Sequence, residues 1–313
     1  MTATLPTRDD VLSAADRIAP WVRVTPTLEV KVPGVKAPVH LKLEQLQHTG
    51  SFKVRGVFNT LLSLDVPESG VTTASGGNHG AALAFAAEQL GHRCTVFVPS
   101  IAPASKLRLI ERYGATIEVA GDVYAQSVEA AETYAADTGA ANVHAYAGAP
   151  VIAGQGTVAA EFDAQVPGLD LVVAAVGGGG FLGGVAAYYG RDTRLVGVEP
   201  EQSPSMHAAR AAGGPVDVST GGVAADSLGC RRVGDLAYGL AEQFVDDLVL
   251  VSDAEIQAAQ QWLWDECRLL TETGGATALA GLLSGRVQVP AGCRLGVIVC
   301  GANTEPSQIE GSG

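Results

Sequence analysis

Apolar positions along the chain follow two spacings in turn. Short runs rich in branched residues predict strands at Val39 to Leu43, Val71 to Ala74, Arg93 to Val98, Ala115 to Val119, Asp170 to Val176, Arg194 to Val198 and Leu295 to Val299. Between them Val54, Val57, Phe58, Leu61 and Leu62 keep a helical spacing, and Ala81 to Ala87 and Phe181 to Ala187 also read as helices. Thr7-Arg8-Asp9-Asp10 caps an opening helix that runs to about Ala19. Ser252-Asp253-Ala254-Glu255 is a capping box, whose hydroxyl and carboxylate each take an amide that the first turn leaves unpaired. The pattern restarts after Pro150 with Val158 to Phe162, and the chain has no internal repeats. Short strands alternating with longer helices predict an α/β fold of helix-covered, mostly parallel sheets, with ligands at the carboxyl ends of strands.

Composition narrows the class. Of 313 residues 47% are hydrophobic, and a mean hydropathy of +0.21 supports a large core divided into about two lobes. No apolar run approaches the ~20 residues that cross a bilayer, and Met1 to Asp10 lacks a basic-then-apolar leader, so a cytoplasmic location is expected. A net charge of -13 repels nucleic acid and anionic membranes. Five scattered cysteines and histidines without HxxxH spacing argue against a disulfide framework or a zinc site. Gly311-Ser312-Gly313 reads as a tail.

Candidate chemistry starts at Lys53, in Gly50-Ser51-Phe52-Lys53-Val54-Arg55-Gly56. An amine at a helix start can form an imine with an aldehyde once its charge is suppressed; alone, such a lysine is most often a solvated surface residue. Two glycine-rich loops give it company. Gly177-Gly178-Gly179-Gly180 follows a strand and opens a helix, so that backbone N–H groups can crowd around an anion. Ser75-Gly76-Gly77-Asn78-His79-Gly80 repeats the arrangement with a hydroxyl and an amide added. Each loop alone reads equally well as a tight turn; together with the lysine they suit a phosphorylated aldehyde and a carboxylate.

With these segments in order, the sequence resembles the serine/threonine dehydratases, pyridoxal-phosphate enzymes of fold-type II that include serine racemase. The likeness runs from about Thr25 to Asn303 and includes Lys42 to Gly56, Ser75 to Gly80, Gly177 to Gly180 and Val299-Cys300-Gly301-Ala302-Asn303. It implies a two-lobed, tryptophan synthase β-like architecture, with residues 1–66 and 147–313 as the large cofactor domain and 67–146 as the small one. It also implies a homodimer and a small amino-acid substrate. Lys53 would carry pyridoxal 5'-phosphate as an imine and act as base on the substrate Cα proton. Phe52 would lie against the ring, Asn78 would donate to the phenolic oxygen, and Gly177, Gly178, Gly179 and Gly180 would hold the phosphate. Ser75, with the N–H groups of Gly76 to His79, would hold the substrate carboxylate. A Cys300 thiol facing the pyridine nitrogen would leave the ring neutral, a weaker electron sink that favours β-elimination.

Departures from the pattern sharpen the expectation. Racemases of the family carry a second Ser where this chain has Gly76, so one-face chemistry is expected, with His79 the remaining second acid. Glu199 and Ser205 match a family cation site whose reduced charge suits potassium better than magnesium. Glu272 matches a family acid near the ring. The short stretch after Asn303 leaves no room for a carboxy-terminal regulatory domain.

The reading is therefore a β-eliminating ammonia-lyase of catabolic type, taking L-threonine and/or L-serine to a 2-oxoacid and ammonia. Serine racemase and 3-hydroxyaspartate dehydratase are the near alternatives. Gly178-x-Gly180-x-x-Gly183, with Glu199 after the next strand, also satisfies the dinucleotide fingerprint. A nicotinamide oxidoreductase, however, has no use for Ser51-Phe52-Lys53 or for a second anion loop. An inactive amino-acid-binding homologue is set against the intact Lys53.

Overall fold

Two parallel-rich sheets build the molecule, a computed structural model that describes residues 4–102 and 104–306, with nothing said of the side chains of residues 104–106. The expected tail at 311–313 lies outside the described residues. In chain order the strands are β1 (Thr27–Val30), β2 (Val39–Leu43), β3 (Val71–Ala74), β4 (Cys94–Val98), β5 (Thr116–Val119), β6 (Ala141–Asn142), β7 (Leu171–Ala175), β8 (Arg194–Pro200), β9 (Asp247–Val251) and β10 (Leu295–Val299). One sheet has the order β1-β2-β10-β7-β8-β9 and the other β5-β4-β3-β6. Only β1 runs antiparallel to its neighbour.

Every residue of β7 and β10 is buried, as expected of central parallel strands covered on both faces. Helix Thr273–Leu283 packs on β10, β7 and β8. The smaller sheet is closed by helices Asn78–Leu90 and Tyr124–Thr138. Its core also takes Ile18 and the Val54, Val57, Phe58 and Leu61 face of helix Lys53–Leu61. The lysine helix is thus held by the apolar stripe visible in the sequence, each such side chain contributing roughly 1.5–3 kcal/mol on burial.

Three site segments leave adjacent strands of the larger sheet. The loop to Lys53 follows β2, Cys300 follows β10, and the glycine run follows β7; these strands are neighbours in the order β2-β10-β7. Ligand sites of open α/β sheets form at such strand ends.

Candidate active site

Main-chain bonds fasten the lysine loop to the end of β10. Phe52 N donates to Cys300 O at 3.2 Å, Ala302 N donates to Gly50 O at 2.9 Å, and Ser51 bridges Gly301. The Lys53 Nζ donates to Ala145 O at 3.1 Å. Burial lowers this amine from its ordinary 10.5 to about 8, against the opposing influence of Cys230, Cys300 and Glu272. Roughly a tenth of the amine is therefore neutral at pH 7, the form that attack on an aldehyde requires.

The glycine run faces the same cleft as the amine. Gly179 has φ +83 and precedes helix Gly180–Tyr189, while a Cβ on Gly178 would overlap the Tyr146 ring. No side chain could be added there without moving Tyr146. Phe52 and Phe181 meet at 4.1 Å between ring centroids in the wall. Cys300 also lines the cleft, donating to Gly274 O at 3.5 Å, and burial pushes its thiol up to about 12. It stays neutral at any working pH.

Asn78 also lines the cleft. Its Nδ2 donates to Glu272 Oε1 at 2.6 Å, and its Oδ1 accepts from Asn303 Nδ2 at 2.7 Å. One of the two Nδ2 hydrogens therefore goes to Glu272, which begins helix Thr273–Leu283 and itself lines the cleft. Ser75, Gly76 and His79 stand outside the described wall. Ser75 Oγ accepts from Gly77 N at 3.4 Å, so the hydroxyl turns towards its own loop. The His79 ring is buried against Val143 O at 2.9 Å, and burial, reinforced by Lys53, lowers it to about 3. The ring is therefore neutral at working pH.

Glu199 and Ser205 do come together. Glu199 lies inside β8, which continues to Pro200, and not beyond the strand. Its oxygens accept Met206 N and His207 N, both at 2.7 Å, and Ser205 Oγ at 3.5 Å, so the acid serves the start of helix Ser205–Ala212. Burial nevertheless lifts the carboxyl to about 7. This engagement also removes the free strand-end acid that a dinucleotide reading needs. Among the described residues no group of three or more His, Cys, Asp or Glu is arranged to hold a metal.

Residues 18–301 match the family model described as pyridoxal-phosphate dependent enzyme. The chain belongs to this family. Its cofactor is pyridoxal 5'-phosphate, and the donor set fits: a buried amine of lowered pKa, a glycine cradle at a helix start and a neutral thiol share one cleft. This pyridoxal-phosphate enzyme is 36% identical to a phenylserine dehydratase of Ralstonia pickettii, over 97% of this chain and 95% of that one. It is 36% identical to a β-hydroxyaspartate dehydratase of Paracoccus denitrificans, over 96% and 97%. It is 34% identical to an L-threonine ammonia-lyase of Thermotoga maritima, over 87% and 69%. A maize serine racemase structure superposes with a TM-score of 0.92 at 30% identity, covering 98% of this chain and 96% of that one.

Sequence reasoning missed Tyr146 in the wall of this pyridoxal-phosphate site. Tyr146 sits in a short loop after β6, where neither periodicity nor a glycine motif marks it. Among the described residues no helix is long and apolar enough to cross a membrane.

Proposed function

We propose that this enzyme is a β-eliminating ammonia-lyase, converting L-threonine and/or L-serine to a 2-oxoacid and ammonia. The observation that carries the reading is the placement of the Lys53 amine, the Gly177–Gly180 cradle and the neutral Cys300 thiol on one cleft. When bound, pyridoxal phosphate supplies an aldehyde and an electron-withdrawing ring that makes the substrate Cα proton removable. Lys53 would anchor the aldehyde and take that proton, the cradle amides would hold the phosphate, and Phe52 would lie against the ring. Cys300, remaining a thiol, donates no charge to the ring nitrogen. The amides of the Ser75–His79 loop serve the substrate carboxylate. The larger lobe, 1–66 with 147–313, would supply the cofactor groups, its helix Lys53–Leu61 packing into the core of the lobe at 67–146, which would bring the substrate loop.

Borohydride should fix the cofactor to the Lys53 peptide, with attachment accelerating as pH rises through about 8. A panel of L-threonine, L-serine, 3-phenylserine and 3-hydroxyaspartate, scored for 2-oxoacid release, then tests the substrate. Absence of turnover with the first two, or a colourless protein that takes up a nicotinamide dinucleotide, would sink the reading.

Racemisation should be minor. A proton must reach the Cα face opposite Lys53 from a donor within ~2.6–3.2 Å, and Gly76 offers no side chain. L-Serine should give pyruvate with little D-serine. A Cβ on Gly76 would lie 3.2 Å from Ala102 Cβ, and the residue is not at positive φ. Gly76→Ser should therefore fold and gain some racemase activity. D-Serine formed by the wild type as fast as pyruvate would contradict the one-face argument.

Potassium should raise activity and melting temperature through Glu199 and Ser205, while sodium and large organic cations should not, because only an ion bound to the native state shifts the equilibrium. Equal values in all three salts would remove the cation site.

A further inference from the structure

Lys53 and the glycine run are far apart in sequence, yet one turn touches both. Ala145 O receives the Lys53 amine at 3.1 Å. The next residue, Tyr146, lies on the glycine run: a Cβ on Gly178 would overlap its Cγ and both Cδ atoms, and one on Gly180 would come within 2.5 Å of its carbonyl oxygen. The turn itself is held by His144 Nδ1, which accepts Tyr146 N at 3.3 Å and Ala147 N at 3.2 Å. On its far side the Tyr146 hydroxyl donates to Arg232 O at 3.3 Å, and Gly234 N returns to Gly178 O at 3.3 Å. The ring is therefore wedged between the glycine run and loop 232–234.

We propose that Tyr146 is a positioning residue that sets the spacing between the Lys53 amine and the Gly177–Gly180 cradle. The inference rests on the proposed roles of those two elements. A ligand that is covalently anchored at one end and bound as an anion at the other gains from both contacts only when their separation matches its own length. The turn 145–146 touches both contacts directly, beside the ties made by the sheet and by the Phe52–Phe181 contact. Its aromatic ring fills the space that glycine leaves at 178, so the cradle cannot settle towards it.

The test compares three ligands on cofactor-free protein: pyridoxal phosphate, which uses both contacts; pyridoxal, which uses the amine alone; and inorganic phosphate, which uses the cradle alone. Attachment of the aldehydes is followed by absorbance, and phosphate binding by the rise in melting temperature. Tyr146→Ala should weaken pyridoxal phosphate capture roughly ten- to a hundredfold, while pyridoxal and phosphate change by no more than about twofold. Tyr146→Phe, which keeps the ring, should stay near the wild type. Unchanged pyridoxal phosphate capture in Tyr146→Ala overturns the proposal, as does an equal loss for all three ligands, which would mark a general packing role. If Tyr146→Ala does not melt cooperatively, Tyr146→Leu is read by the same criteria; failure of both to fold would also make Tyr146 a packing residue and end the proposal. Wild-type protein that never captures pyridoxal phosphate at Lys53 would instead overturn the functional reading.

Discussion

Lys53→Ala should yield a folded protein whose turnover has fallen by roughly a thousandfold or more, the combined loss of a covalent anchor and a positioned base. The fold should survive because the stripe that holds helix Lys53–Leu61 consists of Val54, Val57, Phe58 and Leu61, none of which the substitution touches. Stability should even improve near neutrality. The amine titrates at about 8 in the native protein against an ordinary 10.5, so the unfolded chain binds more protons between those values and native stability rises with pH across that window. Below about 8 the wild type bears the full cost of burying a charged amine; the alanine variant does not. With both proteins cofactor-free, its melting temperature at pH 7 should equal or exceed that of the wild type, and the pH slope between 8 and 10.5 should flatten. Near-normal turnover would leave the chemistry without its base, and a variant that no longer folds would show that the amine has a structural role.

The largest stability effect should come two residues further on. Arg55 is 1% exposed and lies between two acids: it meets both oxygens of Glu44 at 2.8 Å and Glu161 at 3.0 Å. Lys42, also buried, donates to Glu161 at 2.5 Å, to Thr25 O at 2.7 Å and to Gln165 at 2.8 Å. Arg55→Met removes the cation that faces Glu44 and leaves a buried carboxylate with the Thr25 hydroxyl as its remaining described donor. Breaking a buried pair in this way costs about 3–5 kcal/mol. Arg55→Lys should recover little, since an ammonium cannot span two carboxylates as a planar guanidinium does. Adding Glu44→Gln to Arg55→Met should restore part of the loss by removing the stranded charge. Urea midpoints of the four proteins measure this, and a loss below about 1 kcal/mol in Arg55→Met would mean that the network is no stronger than a surface ion pair.

Much of the architecture could be read from local pattern. β2, β3 and β10 occupy the expected residues, the capping box at Ser252 forms as expected, and the expected cap at Thr7 is also a box. Periodicity did not flag β1 and β9, which lie at the two edges of the larger sheet. Thr27–Val30 is too short and too exposed to show an apolar face, and Asp247–Val251 opens on a charge. In the site, segments with a local signature were visible: Lys53, the glycine run and Cys300. Side-chain directions were not. That Asn78 engages Glu272, that His79 turns to Val143 and that Glu199 serves helix Ser205–Ala212 follow from packing between segments distant along the chain. Tyr146 escaped notice for the same reason, since its partners at Gly178 and Arg232 are set by the fold.

The lysine loop is joined to the end of β10 through main-chain atoms of Gly50, Phe52, Cys300 and Ala302. Such bonds use no side-chain atoms. Across the cleft, Ser227 and Leu228 contribute to the wall from a short helix, Ala225–Leu228, outside both sheets. Mutation can therefore remodel that wall over evolutionary time without loosening the anchorage of the amine. A lineage built this way can drift from one amino acid to another while its reactive centre is inherited unchanged, in keeping with a kinship that includes proteins named for phenylserine, β-hydroxyaspartate and threonine.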